Sequence, residues 1–138
     1  MFRAGPKFLD TIAGSVQTTS SFPMGREEAT SRTEIPPGTL YMLILKTLFR
    51  LGPMHGYGIA QHIQQVSEDV LQVEEGSLYP ALQRMLIKGW VTAEWGQSDH
   101  NRRARYYWLT PAGKKQLSVE ISEFDRVMRA ITRVIQPA

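Results

Sequence analysis

Between Leu117 and Ile135 six apolar residues, Leu117, Ile121, Phe124, Met128, Ile131 and Ile135, recur at alternating spacings of four and three. This is the seam of a coiled-coil-like helix, with Thr110 placed to cap it and Pro111 in its first turn. Such a helix, about twenty-five residues, is roughly 37 Å long. The chain has 138 residues, the size of one domain, and the part outside this helix is too small to cover its far end. The six seam residues are therefore expected at an interface with a second copy of the chain. Packing on the chain's own core is the competing reading.

Upstream, the periodicity changes twice. Leu40, Leu43, Ile44, Thr47, Leu48 and Leu51 fall at helical spacing, and Gly52-Pro53 ends the run. A second helix begins after His55-Gly56, with Ile59, Ile63, Val66 and Val70 on one face, and fades near Ser67. A third runs from about Ser77 to Lys88, with Leu78, Leu82, Met85 and Leu86 inward, Pro80 in the first turn and Gly89 at the end. The segments Trp90–Trp95 and Ala104–Leu109 are then rich in β-branched and aromatic residues and flank the polar run 96–101, as in a hairpin with a long basic tip. The fold class is mainly α with a β-hairpin: a winged helix-turn-helix over 38–109, followed by a long C-terminal dimerisation helix over 110–138.

Composition limits what such a chain can do. No run approaches the roughly eighteen apolar residues of a membrane helix, and the start lacks the apolar core of a signal peptide. There is no cysteine, hence no disulfide, thiolate nucleophile or Cys-based zinc site, which fits a cytoplasmic protein. Residues 1–37 are rich in Ser, Thr, Gly and Pro without a period, and read as a flexible tail whose Phe8, Leu9 and Ile12 could form a turn against a partner. The charges of this tail cancel. Between Arg84 and Lys115, by contrast, seven basic residues face only Glu94 and Asp99, and this excess asks for an anionic partner.

In a winged helix-turn-helix the third helix is offered to the DNA major groove and the hairpin to the flanking backbone or minor groove. The outward residues of the third helix, Ser77, Tyr79, Pro80, Gln83, Arg84 and Lys88, include no carboxylate, so this face can approach phosphate. Glu74 and Glu75 just before it suit a positive helix N-terminus. At the hairpin tip Arg102, Arg103 and Arg105 can fork onto phosphates or enter a narrow minor groove, the plain alternative being a solvated turn. Trp90, Trp95, Tyr106, Tyr107 and Trp108 are expected as the hairpin's packing face, with a base-stacking platform as the alternative. No catalytic motif occurs, and His55, His62 and His100 are scattered; capping or surface histidines explain them better than a metal site. Neither a cofactor nor an enzyme activity is expected. A winged-helix module that binds protein, with the basic wing incidental, is the alternative function.

Three motifs carry a family resemblance. Gly52-Pro53-Met54-His55-Gly56-Tyr57-Gly58-Ile59, Glu75-Gly76-Ser77-Leu78-Tyr79-Pro80-Ala81-Leu82, and the stretch from Asn101 to Thr110 with Gly113 resemble the PadR family of bacterial transcriptional regulators, in order and spacing. The likeness covers residues 38 to about 135 and is nearest to the subgroup called acidobacterial-type, of the short class with a single terminal helix. It implies a ligand-responsive homodimeric repressor that binds double-stranded DNA, with the terminal and first helices at the dimer interface; a dimer built on the seam displays two third helices, so its operator is expected to be an inverted repeat. By position it implies DNA contact by Tyr57, Ser77, Tyr79 and Pro80, and wing contact by Arg102, Arg103 and Arg105. Some relatives sandwich a planar aromatic effector with a tryptophan of the terminal helix. This chain has none after Trp108, and Phe124 and Met128 are the available substitutes.

Overall fold

A computed structural model describes residues 33–35, 38–97 and 100–137, with Thr33 and Glu34 described by their backbone only. The elements run β1 (Thr33–Glu34), α1 (Leu40–Leu51), β2 (Met54–His55), α2 (Gly56–Val66), β3 (Leu71–Gln72), α3 (Glu75–Ile87), β4 (Val91–Gln97), β5 (Arg103–Leu109) and α4 (Pro111–Ile135). This is a winged helix-turn-helix with a long C-terminal helix, as the periodicities predict.

The core lies where the apolar faces of α1, α2 and α3 meet the base of the hairpin. Ile44, Leu45, Ile59, Leu78, Leu82, Met85 and Val91 are fully buried there, beside Leu48, Ile63, Ala81, Tyr107 and Leu117. Each large aliphatic side chain so buried contributes roughly 1.5–3 kcal/mol. Thr47 is the buried polar residue of this core, and its hydroxyl is satisfied by donating to the Leu43 carbonyl at 2.8 Å.

Several sequence expectations shift. Val66 and Val70 are exposed rather than inward, because α2 stops at Val66 and the chain turns through left-handed backbone at Glu68 and Asp69. The third helix starts at Glu75, two residues early, so Pro80 sits inside it and not in its first turn. Without an N–H, Pro80 cannot serve the Gly76 carbonyl, which is tolerable because both residues are on the exposed side. α3 ends in a Schellman motif, Trp90 N–H donating to Met85 O at 3.0 Å and Gly89 N–H to Leu86 O at 3.1 Å. The hairpin strands reach Gln97 and Arg103, a longer ladder than expected. Of the hairpin aromatics Tyr107 enters the core and Trp90 packs against it; Trp108, at the hairpin base opposite Thr92, is exposed because it alternates with the buried Tyr107, and Trp95 is exposed further out along the wing.

Most of the expected tail, 1–32, 36 and 37, lies outside the described residues. Its end does not hang free: Thr33–Glu34 pairs in parallel with Leu71–Gln72, and Ile35 packs against the core.

The entry to α4 is fastened to the end of α3. The Thr110 hydroxyl accepts from Gly113 N–H at 3.0 Å and points its own proton toward the carbonyls of Gly89 (2.7 Å) and Trp90 (3.0 Å). A Cβ on Gly113 would lie 2.1 Å from the Trp90 carbonyl oxygen, so only glycine lets the helix approach this closely. Helix propensity alone favours Gly113→Ala by about 1 kcal/mol. The clash is expected to win, with a net destabilisation of about 1–3 kcal/mol by denaturant unfolding; an unchanged or raised midpoint would contradict the contact.

Candidate nucleic-acid interface

Consecutive α-helical residues are about 100° apart, which sorts the surface of α3. Leu78, Ala81, Leu82 and Met85 form the buried stripe, and Gly76, Pro80, Gln83 and Ile87 the exposed strip opposite. Tyr79 stands on one flank and Ser77, Arg84 and Lys88 on the other, all exposed.

The two flanks face different surroundings. On the first, α3, the N-terminal end of α2 and the wing enclose an open cleft of about 1070 Å³. Tyr57, Tyr79, Arg102, Arg103 and Arg105 line it, joined by Gln83, His55, His100 and Trp95, and among the described residues no carboxylate does so. On the second flank Arg84 donates from Nε to the Tyr41 hydroxyl at 2.7 Å, while Lys88 lies 5.3 Å from the centre of the Trp90 ring. Tyr41 itself meets Trp90 edge to face at 5.6 Å. The structure thus brings five of the nine sequence-designated binding residues into one cleft; Ser77, Pro80, Arg84 and Lys88 are exposed on α3 but outside it. Arg84 is held against α1, a contact that no local pattern foreshadows because Tyr41 is forty-three residues away.

The cleft is shaped by the four residues from Met54 to Tyr57. Met54 and His55 pair with Tyr107 and Tyr106, adding a third strand beside the hairpin, so the wing is tied directly to α2. His55 caps α2 through Nδ1, which accepts from Gly58 N–H at 3.0 Å. Gly56 is the seat of Tyr79: a Cβ there would come within 2.8 Å of Tyr79 Cε1 and 2.9 Å of its hydroxyl oxygen. Burial first, then the negative fields of Glu75 and Tyr107, push the Tyr79 phenol above its ordinary pKa, so the hydroxyl is kept as a donor. On the wing the Arg103 guanidinium stacks on the exposed Trp95 ring at 4.4 Å, which holds a flexible cation in place while leaving its N–H groups available. Such a surface, with cations, neutral donors and flat rings around an open cleft, suits a polyanion with ring systems.

The expected interface stripe divides as well. Leu117 is committed to the chain's own core at 5% exposure, because the first turns of α4 dock on α1 and the hairpin. The other five are open, Ile121, Phe124, Met128 and Ile131 at 41%, 41%, 39% and 45% and Ile135 at 74%. Val127 and Val134 are exposed too and widen the apolar surface beyond what the seam alone indicates. The charged side chains of the helix pair along it, Arg126 with Glu123 and Arg129 with Asp125. Among the described residues no helix is long and apolar enough to cross a membrane, and no three potential metal ligands come together.

A helix-turn-helix with a basic wing defines a class of protein, the winged-helix regulators, and comparison with known proteins narrows it. The profile of the PadR-like family of transcriptional regulators matches residues 44–119. The chain belongs to that family. An uncharacterised protein of Lysinibacillus sphaericus is 30% identical over 100 residues, covering 72% of this chain and 91% of the relative. Among solved structures, a transcriptional regulator of Clostridium thermocellum aligns with a TM-score of 0.66 at 25% identity, covering 72% of this chain and 95% of the other. A PadR family transcription regulator of Clostridium difficile aligns with a TM-score of 0.59 at 29% identity, covering 70% and 98%.

The seat of Tyr79 can be tested without any ligand. Because the clash in Gly56→Ala is with the far end of an exposed side chain, the ring is expected to swing out, leaving the melting temperature within about 3 °C of the parent. The Tyr79 pKa should then fall back toward its ordinary value as burial is lost, followed by ¹³C NMR titration of the labelled phenol; a pKa that stays raised would show that the ring has not moved.

Proposed function

We propose that the protein is a homodimeric repressor that binds an inverted-repeat operator in double-stranded DNA, with α3 in the major groove and the wing on the flanking backbone or minor groove. The observation that carries this reading is the cleft between α3 and the wing, lined by three arginines and, among the described residues, by no carboxylate. Phosphate contacts by such groups position a protein on the duplex, while base contacts from α3 give selectivity. Tyr57, Ser77, Tyr79 and Pro80 serve the helix side of this interface and Arg102, Arg103 and Arg105 the wing side. Arg84 and Lys88 reach phosphate from the opposite flank.

The open face of α4 supports dimerisation: a contiguous row of half-exposed Ile, Phe, Met and Val side chains on a monomer calls for a partner. A two-fold dimer presents two α3 helices, which accounts for the inverted repeat and for half-site centres about one helical turn, or a multiple, apart. Phe124 and Met128, on this face, are the residues on which a small planar aromatic effector would rest between protomers, and the site of action is the cytoplasm. Selecting bound fragments from the source genome with purified protein identifies the operator, and recovery of no enriched sequence would refute sequence-specific regulation.

Arg102→Ala with Arg103→Ala is expected to weaken operator and random duplex to the same degree and to lower the salt slope by about 0.9 per lost phosphate contact. A retained slope with altered base preference would instead make the wing a reader of sequence. Phe124→Asp with Met128→Asp puts two charges on the exposed face of α4, so each chain should stay folded by circular dichroism while sedimenting as a monomer at micromolar concentration. Specific binding should be lost with the dimer; a double variant that remains dimeric would remove this stripe from the interface.

A further inference from the structure

The DNA-binding reading leaves His55 outside its contacts, yet this side chain is built into the wall of the cleft. Its ring meets Tyr106 of the wing edge to face at 5.4 Å and stacks on Tyr57 at 6.5 Å, and it shares the lining with Arg102, Arg103 and Arg105. Nδ1 is already occupied, accepting from Gly58 N–H at 3.0 Å. A ring nitrogen that accepts carries no proton, so the imidazole is the neutral tautomer with its proton on Nε2. The cap therefore does more than close the first turn of α2: it fixes which nitrogen donates and how the ring is turned. Among the described residues Nε2 has no hydrogen-bond partner.

We propose that His55 is a phosphate contact of the bound duplex, donating from Nε2–H as a neutral group whose orientation is set by its own helix cap. This rests on the DNA-binding reading above and deepens it. A neutral donor adds a phosphate contact without adding a further cation to a cleft already lined by three arginines. It also gives a thermodynamic signature distinct from theirs. Losing an arginine contact reduces both affinity and counterion release, whereas losing a neutral donor reduces affinity alone.

Two variants separate the cap from the contact. Asparagine is a good N-cap but too short to carry a donor to the position of Nε2; glutamine reaches that position with its amide N–H₂ but caps poorly. At about pH 8, His55→Asn is expected to melt within a few degrees of the parent and to bind operator and random duplex about tenfold more weakly per bound protomer, with an unchanged salt slope. His55→Gln is expected to melt lower and, assayed well below its own transition, to bind within about twofold of the parent. Full-strength binding by His55→Asn would overturn the contact, and a salt slope reduced by about one in that variant would overturn the neutral donor, since it means a lost cation. If the parent itself shows no salt-dependent affinity for any duplex, the DNA-binding reading fails first and this inference with it. Parental binding with an unaffected His55→Asn variant defeats this inference alone.

Discussion

The geometry of the candidate interface depends on one short piece of β-structure, the pairing of Met54 and His55 with Tyr107 and Tyr106. A two-stranded hairpin on its own is marginal and free to swing. Here the third strand leads straight into α2, so the backbone that fixes the wing is the same backbone that starts the helix-turn-helix. The next residue, Gly56, lets the ring of Tyr79 on α3 rest against it. Wing, α2 and α3 are thus joined within three consecutive residues, and the arginines of the wing have a defined position relative to α3.

Much of the fold was legible because helices of this size announce themselves by apolar spacing. The stripes from Leu40 to Leu48, from Ile59 to Ile63 and from Leu78 to Leu86 lie in the core or against it, while Leu51, expected inward at the end of the first stripe, is exposed; Thr110-Pro111 marks the start of α4. What was not legible arose from contacts distant in sequence. A two-residue strand has no alternation to detect, so Met54–His55 read only as a loop before a helix. Periodicity also runs past the point where a helix stops, which is why Val66 and Val70 were expected inside although the backbone turns at Glu68. At the candidate site the arginines were visible as charge, but the ring that carries Arg103 and the tyrosine that holds Arg84 are visible only once the chain is folded.

The two ends of the molecule are linked through their packing. α1 contacts both α3 and α4, and Tyr41 on α1 holds Arg84 on α3. In the proposed dimer, a change in how α4 meets the second copy would have a short physical path to the flank of α3 opposite the wing. The fastening of Thr110 to the carbonyls of Gly89 and Trp90 makes a second path, from the first turn of α4 to the end of α3. Both are candidates for the bistable element that a ligand between protomers would bias.

In the proposed complex α3 and the wing act as one surface, and two copies of it meet the duplex together. Hydroxyl-radical footprinting on a fragment selected from the source genome tests it most directly. Two protected patches related by two-fold symmetry are expected, their centres about one helical turn or a multiple apart, each with protection on its flank from a wing. A single unsymmetrical patch, or uniform weak protection without boundaries, would contradict it.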